Sequence, residues 1–149
     1  MTTTLNLYDL YRDTVADPTR AAAIAGTLKL AHVTVTYTPN QNTHQYFSDI
    51  TNEVTGTGYT AGGNACATPT WTGPDGSGVS TFDASDPAQI AQNAAGFSNA
   101  RRAILYYDTG VAATSMLVGY SNDAGADYGN VAGSLDVAFS ASGIYTCSR

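Results

Sequence analysis

From Leu28 onward the chain alternates with a period of two. In Leu28-Lys29-Leu30-Ala31-His32-Val33-Thr34-Val35-Thr36-Tyr37, Leu28, Leu30, His32, Thr34 and Thr36 fall on one face, and Lys29, Ala31, Val33, Val35 and Tyr37 on the other. That alternation, with so many β-branched residues, describes a strand. It also divides the chain. Ahead of it, Leu7, Leu10 and Tyr11 fall at three- and four-residue spacing with Asp9 and Asp13 in the early turns, which predicts a helix within residues 5–25. Asp17-Pro18 interrupts it, because a residue before proline is pushed out of the helical region. Pro18 can open a second turn, with Gly26 as its stop, although the run Arg20-Ala21-Ala22-Ala23-Ile24-Ala25-Gly26 also reads as a plain linker. The expected organisation is a helical arm over residues 1–26 and a β-domain over residues 27–149.

The β-domain is punctuated by turns. Pro39-Asn40-Gln41-Asn42 is a turn signal, and residues 47–54 suit one or two helical turns, with Ser48 able to cap and Asn52 and Glu53 facing water. Residues 64–72 read as a strand weakened by Pro69, and so an edge strand or an irregular one. Gly73-Pro74-Asp75-Gly76 is a strong turn, and Val79, Thr81 and Phe82 mark a further strand. Residues 88–95 suit one helical turn. Residues 100–107 form a strand that ends in Asp108-Thr109-Gly110, and residues 115–120 are its expected antiparallel partner. Residues 135–139 and 144–147 are expected to pair as a hairpin, with Gly143 in the left-handed conformation. Short strands at this spacing predict a mainly β chain: an antiparallel β-sandwich, jelly-roll or immunoglobulin-like, with a short N-terminal helical segment.

Composition narrows the function classes. The chain has 149 residues, 12% of them charged, and a net charge of −6. That charged share is about half of what soluble domains usually carry. Ten tyrosines, four phenylalanines and Trp71 argue for a folded chain with a neutral, hydroxyl-rich surface. Nucleic acid is not an expected partner, since binding it requires a basic patch and the only clustered cations are Arg101 and Arg102. That pair reads as a solvated edge or an interface anchor. No apolar run approaches the length of a membrane span, and the N-terminus lacks the basic-then-apolar pattern of a signal peptide.

Reactive groups do not assemble into a motif. Cys66 and Cys147 are too few for a zinc site; they suit one disulfide if their strands are neighbours, or two reduced, half-buried thiols in a cytoplasmic setting, and the second is preferred. Gly56, Gly58 and Gly62 imitate a dinucleotide loop, but no helix follows them, and a glycine turn that lets Tyr59 pack explains them better. His32 and His44 lack companions for nucleophilic catalysis. Asp123 and Asp127, with Gly125 between them, resemble the start of a calcium loop without its alternating ligands or final glutamate. Asp83 and Asp86 read as turn acids. No enzymatic activity, cofactor or metal is expected.

One segment stands apart: Tyr46-Phe47-Ser48-Asp49-Ile50-Thr51-Asn52-Glu53-Val54-Thr55-Gly56-Thr57-Gly58-Tyr59-Thr60-Ala61-Gly62-Gly63. It is distinctive in wording and nearly empty of reactive groups, which points to architecture. Together with Ala103-Ile104-Leu105-Tyr106-Tyr107-Asp108-Thr109-Gly110, it resembles a family of small virion proteins of tailed bacteriophages. Those proteins share a pattern close to FSDV-x-x-EV-x-GTGYTAGG and, later, a hydrophobic strand ending in Asp-Thr-Gly. The looser likeness runs from about residue 28 to the C-terminus; the N-terminal preface and residues 65–78 depart from the pattern. The resemblance implies a head-decoration or cement protein that binds the outer face of the capsid, made in the bacterial cytoplasm. Its expected partners are the major capsid protein and further copies of itself, as a trimer. The alternatives are a tail or neck component, or a carbohydrate-binding sandwich in which Trp71 and Tyr128 hold a sugar. The candidate interface residues are Leu7, Leu10, Tyr11, Tyr46, Phe47, Tyr59, Trp71, Arg101, Arg102 and Tyr128, because tyrosine and arginine anchor protein contacts.

Overall fold

The structure is a computed structural model that describes residues 5–11, 26–72 and 79–148. Its strands are β1 (Leu5–Leu7), β2 (Thr27–Thr34), β3 (Asn64–Ala65), β4 (Thr70–Thr72), β5 (Val79–Asp83), β6 (Ala100–Asp108), β7 (Leu117–Ser121) and β8 (Tyr145–Ser148). They form two antiparallel sheets, one in the order β1-β7-β6-β2-β3 and the other in the order β4-β5-β8. The chain is thus a mainly β protein built as a sandwich, as its periodicity predicts.

The β2–β6 ladder organises the larger sheet. Leu28 faces Tyr107, Leu30 faces Leu105 and Ala31 faces Ile104. Apolar cross-strand pairs of this kind are the unit of sheet stability. Alternation sends Leu28, Leu30, Ala103, Leu105 and Val118 to one face, and Ala31, Val33, Ile104, Tyr106 and Leu117 to the other; all of them are buried. The first face is covered by Phe82 of β5 and Tyr145 of β8, joined by Val137, Phe139 and Ile144. The second is covered by Tyr8, Tyr37, Phe47 and Ile50, from chain outside the two sheets. The larger sheet therefore lies between two apolar layers. A third cluster of Val54, Ile90, Phe97 and Ala100 adds to the core. Burial of each large apolar side chain stabilises by about 1.5–3 kcal/mol.

The N-terminal expectation needs correction. Leu5–Leu7 is a strand, pairing with Ser121, Tyr120 and Gly119 of β7, and helical geometry begins only at residues 9–11. The open edge of β7 offers backbone hydrogen bonds, and Leu5, Tyr8 and Tyr11 each fill a core position, at 7%, 0% and 2% exposure. Tertiary packing thus overrides the helical spacing. The larger sheet begins before the expected boundary at residue 26. The second turn expected after Pro18 falls in residues 12–25, outside the described residues.

Other differences have local causes. The helical turns expected over residues 47–54 are one 3-10 turn, Phe47–Asp49. Asp49 rather than Ser48 serves its start, its Oδ2 accepting the Gln45 and Tyr46 amides at 2.8 and 2.9 Å. The strand expected over residues 64–72 is split into the edge strands β3 and β4, with Thr68 at a φ of 47° and Pro69 between them. Residues 88–95 form no helical turn; Ile90 bridges to Leu135 instead. The expected C-terminal hairpin is replaced, with β8 pairing to β5, although Gly143 does adopt a positive φ of 93°.

Candidate interaction surface

The distinctive 46–63 segment is a clasp over the end of β2. Glu53 bridges to Val33, the Thr34 amide donates to the Asn52 carbonyl at 2.9 Å, and the Val54 amide donates to the His32 carbonyl at 3.0 Å. Glu53, expected to face water, turns inward: its Oε1 accepts the Tyr59 hydroxyl and the Gly62 amide, both at 2.6 Å. The Tyr59 oxygen in turn accepts the His32 amide at 3.1 Å. Tyr106, stacked on Phe47 at 4.2 Å, donates its hydroxyl to the Gly62 carbonyl at 2.8 Å. Gly63 has a φ of +77°, and a Cβ there would stand 1.9 Å from the Leu30 carbonyl oxygen. Each of these residues is committed to the frame.

A second knot surrounds His32. The imidazole is buried, stacks on Phe97, meets Tyr59 and Tyr128 at ring distances of 6.0 and 5.7 Å, and bonds through Nδ1 to the Tyr128 hydroxyl at 3.1 Å. Burial lowers its pKa to about 4, so it is neutral at ordinary pH. Burial raises the Tyr59 and Tyr128 hydroxyls far above their usual range, with Glu53 adding to the shift at Tyr59. Beside this knot Asn130 is fully buried, its amide donating to the Thr57 and Ala91 carbonyls and accepting the Phe97 amide. Nothing in the local pattern singles out Asn130, which lies in a glycine- and asparagine-rich stretch with no periodicity.

The interface candidates do not gather on one surface. Tyr11 lies in the core, its hydroxyl bonded to that of Tyr145 at 2.9 Å, and so it corrects the expectation of an exposed anchor. Leu7, Leu10 and Tyr46 are half-buried, Leu7 packing on the same cluster as Tyr11 and Tyr46 bridging to Met116, and Phe47 is half-buried in the layer over the second face. Tyr59 and Tyr128 are turned toward His32. Arg101 and Arg102 hold the loop after β7: Arg101 Nε donates to Asp123 Oδ1 at 2.8 Å, its Nη1 reaches Asp127 at 3.3 Å, and Arg102 Nη2 reaches Asp123 Oδ2 at 3.1 Å. The two acids that imitate a calcium loop are thus occupied by guanidinium groups. The Gly125 amide and Arg101 hold the Asp123 carboxyl below its usual range. Among the described residues, no three histidines, cysteines or acids come together in a way that could hold a metal. Cys66 is a free, buried thiol whose pKa burial pushes up to about 12.

Trp71 is the exception. It is 49% exposed, on a strand whose three residues are all exposed, and it leans on Phe82 and Tyr145 at ring distances of 6.0 and 5.6 Å. Val35 and Val111 are the other large apolar side chains open to solvent among the described residues. Trp71 lies on β4 of the smaller sheet, and Tyr128 bridges to Ala100 of β6 in the larger one. No described helix is long and apolar enough to cross a membrane. Comparisons with protein-family models, curated proteins and solved structures found no match.

Proposed function

We propose that the protein is a structural component of a tailed-phage particle, acting as a decoration or cement protein on the outer capsid surface. The observation that carries this reading is the 46–63 segment, which resembles a block found in small virion proteins. In this fold its residues serve as a rigid clasp, through Glu53, Tyr59, Gly62 and Gly63. A low-charge, hydroxyl-rich exterior suits lasting contact with other protein. The resemblance extends the reading to a trimer seated on the major capsid protein.

The mechanism is mass action. A protein that binds the assembled lattice and not its separated parts stabilises each site by RT ln(1 + [L]/Kd), about 2.7 kcal/mol at a hundredfold excess over Kd. The test compares heads with and without the protein. Heads lacking it should assemble but release their DNA at lower temperature, and added protein should restore them. Equal heat stability would end the cement reading. Full, stable heads that fail to infect would favour a tail or neck component, and copy number in purified particles would decide between the two.

A further inference from the structure

We propose that two copies of this chain pair through the outer edge of β4, antiparallel, about a two-fold axis centred on Trp71. Among the described residues β4 pairs only with β5, through Thr70↔Asp83, Trp71↔Phe82 and Thr72↔Thr81, and stands at the margin of its sheet. Among the described residues no strand pairs with its other side, and such edges invite pairing unless charge, proline or a bulge guards them. Here the guard is one-sided. Pro69 lacks an N–H, and Thr68, a β-branched residue at a φ of 47°, bends the chain just before the strand. Those two residues stop pairing at that end and leave Thr70–Thr72 open.

The open sequence is a palindrome. Antiparallel pairing of Thr-Trp-Thr with itself sets Trp71 opposite the partner's Trp71 and Thr70 opposite the partner's Thr72. Every position meets a chemically matched one, as a two-fold contact requires. Trp71 shares the inner face with Phe82 and Tyr145, so the two aromatic rows join end to end and each indole loses its exposed side. The chain carries a net charge of −6, but no charged residue occurs from position 54 to position 72, and the charge that faces β4 across its ladder is Asp83, opposite Thr70 on the side away from the proposed contact. The three-stranded sheets then merge into one of six strands. This contact does not rest on the virion reading and is distinct from a three-fold contact.

Light scattering across the micromolar range tests it, with circular dichroism to confirm folding. The wild-type chain should show the mass of two chains. Thr70 and Thr72 are exposed and face away from the aromatic row, so substituting them leaves the core intact. T70K/T72K sets like charges opposite one another at both ends of the pairing and should weaken association at least about tenfold. T70K/T72E sets opposite charges there and should restore the two-chain mass. A wild-type monomer, a T70K/T72K protein that associates unchanged, or a T70K/T72E protein that stays dissociated would each overturn the proposal. A three-chain mass indifferent to these substitutions would overturn it too, while leaving the trimer of the virion reading in place.

Discussion

A single carboxylate oxygen of Glu53 takes both the Tyr59 hydroxyl and the Gly62 amide. Glu53→Ala leaves the half-buried Tyr59 hydroxyl and the buried Gly62 amide without an acceptor and should cost about 2–4 kcal/mol in urea unfolding. A loss below about 0.5 kcal/mol would show that water replaces the carboxylate freely. His32 makes the fold sensitive to acid. Its pKa is about 4 when folded and 6.5 for the free side chain. Between those values the unfolded chain binds a proton that the folded chain refuses, so stability falls as pH drops from 6.5 toward 4 and then levels off. The expected loss is on the order of 3 kcal/mol. Asp49, Asp108 and Asp123 have carboxyl groups held below their usual 3.8, so the stability they contribute is lost from about pH 5 downward and overlaps only the acid end of the histidine window. A His32→Gln variant should unfold with a flat profile from pH 6.5 to about 5; a slope equal to that of the wild type there would assign the acid sensitivity elsewhere.

Strand β1 has only three residues, yet it brings Tyr8 and Tyr11 with it. Tyr8 bonds the Tyr37 hydroxyl at 3.0 Å on one side of the larger sheet, and Tyr11 bonds Tyr145 on the other. A helical arm separate from the β-domain would be dispensable for folding. The geometry predicts the opposite: loss of residues 1–11 alone removes two aromatic core side chains, should cost more than about 5 kcal/mol and should leave the chain unfolded or molten. Near-ultraviolet circular dichroism of the truncated chain measures this directly, and a native spectrum would restore the view of a dispensable arm. The same element shows where the sequence is legible. Strands β2 and β6 are long and rich in branched or aromatic residues, so their pattern announces them. Strands β1 and β8 are short, and each pairs with a segment remote in sequence, β7 and β5 respectively. Local spacing therefore misassigns one and mispairs the other. The clasp was legible as architecture from its glycines, but the inward turn of Glu53 depends on Tyr59 reaching back to it, which no periodicity encodes.

At the scale of the whole molecule, the three clusters share strands and partners. Leu135 packs against both the first and the third, and the first two clusters occupy opposite faces of the same sheet. Unfolding should therefore be one transition, with Trp71 fluorescence and far-ultraviolet dichroism giving the same urea midpoint. Separated midpoints would mean that the smaller sheet melts independently. The sheet buried on both faces has a further consequence for how the chain reaches its native state. Where one face of a strand meets solvent, slipping by a residue exposes every apolar side chain and corrects itself. Along Ala103-Ile104-Leu105-Tyr106 a slipped pairing exchanges one oily layer for another, and solvent raises little objection. Alignment must come from steric keys: Gly63 beneath the Leu30 carbonyl, Gly119 against Leu5 and Leu7, and the irregularity between Val33 and Thr34. Misaligned ladders are consequently the kinetic traps of this fold, and its glycines serve as proofreaders of strand alignment.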